Sequence, residues 1–393
     1  MNPHTLLLTI ALFAVAPRLI GAETKNASKL AQVAPAEVGL DAAKLDQIDA
    51  VVKEDIDKNR LPGAVVLVVH RGKIAFRRAY GLRSKQPAEV RMTVDTVFDL
   101  ASLTKPLATA ASIMVLIEQG KLALTDRVAR HLPEFGPNGK DKITLEQMLL
   151  HTSGLIADNP VSDYKDGRKK ALERIGQLKP VAESGTKFLY SDVNFIVLGE
   201  LVGKISGMKL DAFAHKHLFE PLGLRDTTFR PGKELAERAA PTQKREGHWM
   251  RGEVHDPRAY LLGGVAGHAG LFSTADDLAV FVQMILNGGT YAGKRILKPD
   301  TVRLMTTPRA VPGGQRALGW DVRTRFSSNR GEGFSAKSFG HTGFTGTSLW
   351  IDPVSETAVI FLSNRVHPDG KGQINRLRGR VASLVAAGIL TPR

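Results

Sequence analysis

Two β-rich runs meet at Arg71-Gly72 in "GAVVLVVHRGKIAFRRAYG", Gly63 to Gly81, which is the pattern of a hairpin. A hairpin alone is marginal in water and needs further strands beside it. The next strand-like text does not come until Ala317, in "ALGWDV", "SFGHTG", "TSLWIDP" and "TAVIFLSN". The intervening residues read as helices. Apolar positions Leu45, Ile48, Val52 and Ile56 set a helical period from Asp41 to Ile56. Further helices are predicted from about Ser102 to Gln119 with Gly120 as the stop, after the capping box Thr144-x-x-Gln147, over Ala171–Leu178, Val193–Ile205 and Asp276–Leu286, and from about Gln373 to Ala387. The expected fold is mixed α/β (α+β). One central sheet is assembled from both ends of the chain, with terminal helices packed on it and a helical domain inserted. The expected boundaries are 37–100 and 290–393 for the sheet domain and 101–289 for the mainly helical one.

The N-terminal residues stand apart. "LLLTIALFAVA", Leu6 to Ala16, is too short to span a bilayer but suits the core of a signal peptide. Residues 1–22 are expected to be cleaved, 23–36 to form a loose leader, and the mature protein to be periplasmic or secreted. No second apolar run is expected to be long enough to span a membrane. There is no cysteine, so a disulfide, a metal–thiolate site and a lipidated Cys are excluded. The formal net charge is +15, but the basic residues are scattered and form no stripe with aromatics, which argues against a nucleic-acid partner. A monomer with no cofactor and a small-molecule partner is expected.

Chemistry is carried by Ser102-Leu103-Thr104-Lys105. Ser-x-x-Lys occurs four times, at Ser102/Lys105, Ser162/Lys165, Ser184/Lys187 and Ser206/Lys209, so spacing alone decides nothing. Pro106 selects the first pair, because proline is tolerated only near a helix start. Ser102 and Lys105 then share a face in the first turn, where free N–H groups and the helix dipole favour an oxyanion. The other pairs lie in charged or Gly-containing surface text. A lysine base near neutrality needs its pKa to fall by roughly 3 units from ~10.4, so a tyrosine sharing the proton traffic is sought.

"FDLASLTK" resembles the first motif of serine β-lactamases and penicillin-binding proteins, especially the class C branch with its esterase and D-aminopeptidase-like relatives. "FLYSDVNFIVLGEL" is similar to the second motif and "FGHTGFTGTSLWIDP" to the third, in the family's order and spacing; "LLHTSGL" and "GGVAGHAGLFSTADDLAVF" resemble connecting segments. The resemblance runs from about Leu40 to the C-terminus. It implies a β-lactamase/transpeptidase-like fold with Ser102 as the acylated nucleophile, Lys105 and Tyr190 as its proton relay, and the N–H groups of Ser102 and Phe344 as the oxyanion hole. His341, Thr342 and Gly343 would line the strand edge along the substrate. The second motif reads Tyr190-Ser191-Asp192, where the family has Tyr-x-Asn. Asp192 beside Lys105 would raise the lysine pKa, shift the base role towards Tyr190 and disfavour β-lactams. Asn194, two residues on, is a further candidate for the substrate-binding position. His341 replaces the family's usual lysine, and Arg365 is the candidate for the missing positive charge.

His151, His255 and His268 match no metal-ligand spacing, and Gly263, Gly264, Gly267 and Gly270 lack the setting of a phosphate loop. No Gly-x-Ser-x-Gly elbow is present. The expected activity is hydrolysis of a small ester or amide through an acyl-enzyme, in the manner of a β-lactamase-related esterase. The alternatives are a D,D-carboxypeptidase or D-amino-acid amidase acting on cell-wall-derived peptides, a weak β-lactamase, and a non-hydrolytic penicillin- or wall-peptide-binding protein.

Overall fold

A computed structural model describes residues 29–390. The expected signal peptide, 1–22, and the first part of the leader lie outside these residues.

One nine-stranded antiparallel sheet is built from both ends of the chain. Its strands are β1 (Gly63–His70), β2 (Lys73–Ser84), β3 (Val90–Arg91), β4 (Arg309–Val311), β5 (Gly314–Ala317), β6 (Trp320–Arg323), β7 (Phe339–Thr342), β8 (Ser348–Asp352) and β9 (Thr357–Ser363). Their order is β4-β5-β6-β7-β8-β9-β1-β2-β3. The hairpin turns where expected, with Arg71 at φ 45° and Gly72 at φ 79°, the left-handed pair of a tight two-residue turn. β1 then pairs with β9 from Ala64↔Ser363 to His70↔Thr357, which joins the two ends.

Both faces of β1 are buried. Val65, Leu67 and Val69 enter the core shared with the inserted helices, while Ala64, Val66 and Val68 enter a second core under the terminal helices. That double burial explains why the strand reads as a continuous apolar run rather than an alternating one. The terminal helices α1 (Ala42–Asp57) and α5 (Asn375–Ala387) pack together on one face. On the other face α4 (Ala275–Leu286) packs against β1 and β9.

The residues between β3 and β4 are mainly helical, with short strands among them. Phe98–Asp99, Thr228–Phe229 and Leu271–Ser273 form a small sheet of their own. Two helices matter for the site: α2 (Ala101–Glu118) and α3 (Asp192–Ser206). α2 has a mean hydropathy of 1.2 over 18 residues, enough by composition to cross a membrane, but 83 % of it is buried inside the protein. Lys140 is another buried group. Its ammonium donates to the carbonyls of Pro137, Gly176 and Leu178 at 2.6, 2.9 and 2.5 Å, tying its loop to the end of the helix Arg168–Gln177.

Candidate active site

The start of α2 is not regular α-helix. Ala101–Leu103 is a 3₁₀ turn, Lys105–Ala110 is a π turn, and α geometry begins only at Ala111. Pro106 cannot donate to the carbonyl four residues back, so the regular ladder is interrupted there. Ala101 takes φ 46°, a left-handed conformation that costs a non-glycine residue on the order of 1–3 kcal/mol. Asp99 holds it: one carboxylate oxygen accepts from the Ala101 N–H at 2.8 Å and the other from the His255 N–H at 2.6 Å. Burial pushes the Asp99 carboxyl up to about 6, against the pull of these two N–H groups.

This geometry brings the first pair together. Lys105 Nζ donates to Ser102 Oγ at 2.9 Å and to the His268 carbonyl at 3.1 Å, and it meets Asp192 Oδ1 at 2.6 Å as an ion pair. Burial opposes the charge on Lys105, but Asp192 and Tyr190 outweigh it and hold the ammonium above the usual lysine range. Tyr190 lies close enough to both Lys105 and Ser102 for each to favour its ionisation, yet burial prevails and its phenol is pushed up. The resting site therefore holds a cationic lysine and a neutral tyrosine. The other three serine–lysine pairs have exposed lysines, and Ser206 Oγ is bonded to the Val202 and Met208 carbonyls.

The third motif closes on the serine loop from above. Gly343 is required by packing: a Cβ there would stand 2.1 Å from Thr347 Oγ1 and 2.4 Å from the Leu100 carbonyl oxygen. Thr345 Oγ1 donates to the Asp99 carbonyl at 2.7 Å and Thr347 Oγ1 to the Leu100 carbonyl at 3.0 Å. This lacing sets Phe344 beside the Ser102 loop, and no hydrogen bond engages the N–H of Ser102 or Phe344 among the described residues. His341 Nδ1 lies 2.8 Å from the Thr342 carbonyl, an acceptor only, so Nδ1 carries the proton and Nε2 is a lone pair. Burial, with the charges of Arg316 and Lys105, keeps that imidazole neutral.

Ser102, Tyr190, His341, Thr342, Gly343, Phe344 and Arg365 line one cleft of about 740 Å³. Arg365 donates to the Gly372 carbonyl at 2.8 Å and lies 4.5 Å from the centroid of the Phe344 ring. Asn194 is not in the cleft. Its amide donates to the Met148 carbonyl at 3.3 Å and accepts from Ser153 Oγ at 2.7 Å, so it is a buried tie between α3 and the segment before it.

Several groups escaped sequence reasoning. Arg378 on α5 is buried, lines the cleft and donates to the Gly343 carbonyl at 3.1 Å. Its signal was weak, since Arg376, Arg378 and Arg380 stand together in one helical stretch. Arg316, next to "ALGW", also lines the cleft. The glycine-rich segment has a packing role: a Cβ on Gly267 would stand 1.8 Å from the Phe195 carbonyl oxygen, and this close approach carries the His268 carbonyl to Lys105. Asp192, Asp256 and His268 bring ligand atoms within 4.8 Å of one another, as a metal site would. The cation already held there is the Lys105 ammonium, and His268 Nε2 pairs with Asp256 at 2.9 Å. His151 stacks on Tyr190 at 4.5 Å and His255 on Phe344 at 5.6 Å, so the three histidines serve three separate places.

The family model described as Beta-lactamase matches residues 48–383. The chain belongs to the beta-lactamase family. It is 32 % identical over 377 residues to a protein of Escherichia coli O157:H7 named "Putative D-alanyl-D-alanine carboxypeptidase", with 86 % of each chain covered. Among solved structures, EstCE1, a hydrolase with promiscuous acyltransferase activity, superposes with a TM-score of 0.71 at 25 % identity, covering 88 % of this chain and 99 % of that one. A class C beta-lactamase matches with a TM-score of 0.73 at 22 % identity over 90 % and 98 %, which supports the mixed fold and its large antiparallel sheet.

Proposed function

We propose that this family member is a serine hydrolase that forms an acyl-enzyme on Ser102 and acts on small amides or esters carrying a carboxylate, in the manner of a D,D-carboxypeptidase. The observation that carries the reading is the chain of contacts from Ser102 Oγ to Lys105 Nζ at 2.9 Å and on to Asp192 Oδ1 at 2.6 Å. The Ser102 proton passes to Lys105 as Lys105 releases one to Asp192, while the serine oxygen attacks the acyl carbon. The N–H groups of Ser102 and Phe344 receive the oxyanion, each worth ~10²–10³ in rate. As the tetrahedral intermediate collapses, Tyr190 gives its proton to the leaving group and is reprotonated from Lys105, which recovers its own proton from Asp192. Water then repeats the sequence on the acyl-enzyme. Asp192 thus takes the base role that the sequence placed on Tyr190, because both the raised lysine and the raised tyrosine are protonated at rest.

The carboxylate preference rests on the cleft's cations. Arg378 offers a buried Nε without a partner, and α5 begins at the same wall with no side-chain cap and no acidic residue in its first turn. The relatives named as carboxypeptidases support the same choice over simple esters. Ester hydrolysis remains the second reading, supported by Asp192 in the Asn position and by the likeness to EstCE1. A panel of D-Ala-D-Ala peptide, p-nitrophenyl butyrate and nitrocefin tests both, with a fluorophosphonate to map the labelled serine. A label on Ser162, Ser184 or Ser206 would sink the assignment. We also propose export through residues 1–22; a new N-terminus near Glu23 in a periplasmic fraction is the expected result, and an uncleaved cytosolic product the contrary one.

A further inference from the structure

Arg316 on β5 is fully buried and has no part in the proton relay, yet it lines the same cleft as Ser102, Tyr190 and His341. Its one acidic partner among the described residues is Asp321, with Oδ1 3.4 Å from Nη1. That carboxylate is already engaged, accepting from Thr324 Oγ1 at 2.7 Å and Ser327 Oγ at 2.6 Å. The guanidinium carbon sits 5.4 Å from the centroid of Phe188, which packs edge-on against Phe326 at 6.1 Å. Phe326 is half-buried and also lines the cleft, so aromatic rings border the arginine on this side.

Nε and Nη2 of Arg316 have no hydrogen-bond partner among the described residues. A guanidinium kept only for structure would be saturated, because buried polar groups almost always are. The two free donors are those of the side-on edge of the guanidinium, the edge that receives both oxygens of a carboxylate in parallel. Among the described residues the groups around it supply no second anion: Lys105 is cationic, while His341 and His151 are held neutral by burial and by the positive charges of Arg316 and Lys105. Arg378 is a separate point. The charge acting on it is Arg365, and its two Nη groups donate to the Gly343 carbonyl and to Asn375 Oδ1.

We propose that Arg316 is a second carboxylate-binding point of the cleft, beside Tyr190, and that it selects substrates with an acidic group additional to the one received at Arg378. This rests on reading Ser102 as an acyl-transfer nucleophile. The substrate class is then an acidic peptide or depsipeptide, with the carboxylate oxygens of its second acid on the free edge of Arg316.

Three depsipeptides test it: N-acetyl-D-Ala-D-lactate, its N-succinyl counterpart, and the D-malate counterpart of the lactate. Wild type is expected to favour one of the diacids by about 10-fold or more in kcat/KM, the scale of one charge-assisted bidentate pair. Arg316→Gln should bring that ratio near one, mainly through KM, and Arg316→Lys should restore only part of it. Equal wild-type rates on all three, or an Arg316→Gln variant that loses the same factor on each, would show a structural role and overturn the proposal. If Arg316→Gln fails to fold, wild type alone decides. Glutarate should inhibit competitively at a concentration about 10-fold below butyrate, and equal inhibition refutes the second point. Failure of the underlying reading looks different: a fluorophosphonate then leaves wild-type Ser102 unlabelled.

Discussion

Gly343 and Leu100 touch so closely that a single methyl group cannot stand between them, since a Cβ on Gly343 would lie 2.4 Å from the Leu100 carbonyl oxygen. This contact fixes where the Phe344 N–H stands relative to Ser102. Gly343→Ala should displace that donor and lower the acylation rate by ~10² or more. Burst kinetics with a p-nitrophenyl ester, together with a thermal melt showing a folded variant, checks it. A burst rate within threefold of wild type would disprove the placement.

Asp192→Asn removes the counter-charge of a fully buried ammonium. Without it, burial dominates and Lys105 falls towards the working pH range, where it loses its proton as pH rises. The variant's kcat/KM should therefore climb with pH through a range where wild type is flat. Nitrocefin turnover should rise relative to p-nitrophenyl butyrate, because the amide supplies a donor that the carboxylate lacks. Parallel pH profiles of the two proteins would contradict the relay.

Asp99 has its carboxyl raised to about 6 by burial. The folded state then binds more protons than the unfolded state between about pH 4 and pH 6, so this group's contribution to stability falls as pH rises through that window. Asp99→Asn should lack this component. The difference in Tm, wild type minus variant, should shrink from pH 4 to pH 7; a constant difference counts against it.

Lys140→Met serves as a control away from the cleft. It strands three carbonyls that the ammonium now satisfies, and should lower the unfolding free energy by about 2–4 kcal/mol in urea. Ester kinetics should be unchanged. A change in KM for the ester would show that this loop communicates with the site.

The hairpin at Arg71-Gly72, the capping box at Thr144 and the helix on Asp41 were legible because each is a local pattern. Thr144 Oγ1 accepts from the Gln147 N–H while the Gln147 side chain accepts from the Thr144 N–H, all within four residues. Ser102 was legible because Pro106 and an apolar helix distinguish one serine–lysine pair from three others. Arg316 and Arg378 were not, because nothing in the sequence around an arginine tells whether it is saturated or left with free donors. Asn194 misled for the opposite reason: its spacing from Tyr190 fits a site residue, while the buried partners that engage it lie some forty residues back. Asp99 gave no pattern at all, since its two partners are backbone groups, one of them 156 residues away.

The two ends of the described region are tied by the Asp41 N–H to the Gly388 carbonyl at 2.8 Å and the Leu390 N–H to the Gly39 carbonyl at 2.9 Å. Strand β1 is made early in synthesis, yet its partner β9 comes some 300 residues later. Such sequence separation makes for slow closure, because chain entropy is lost before the pairing repays it. The cleft inherits that delay: Arg378, which grips the Gly343 carbonyl, stands on α5, the last of the described helices. A chain released before α5 would carry Ser102 without the arginine that holds the third motif in place.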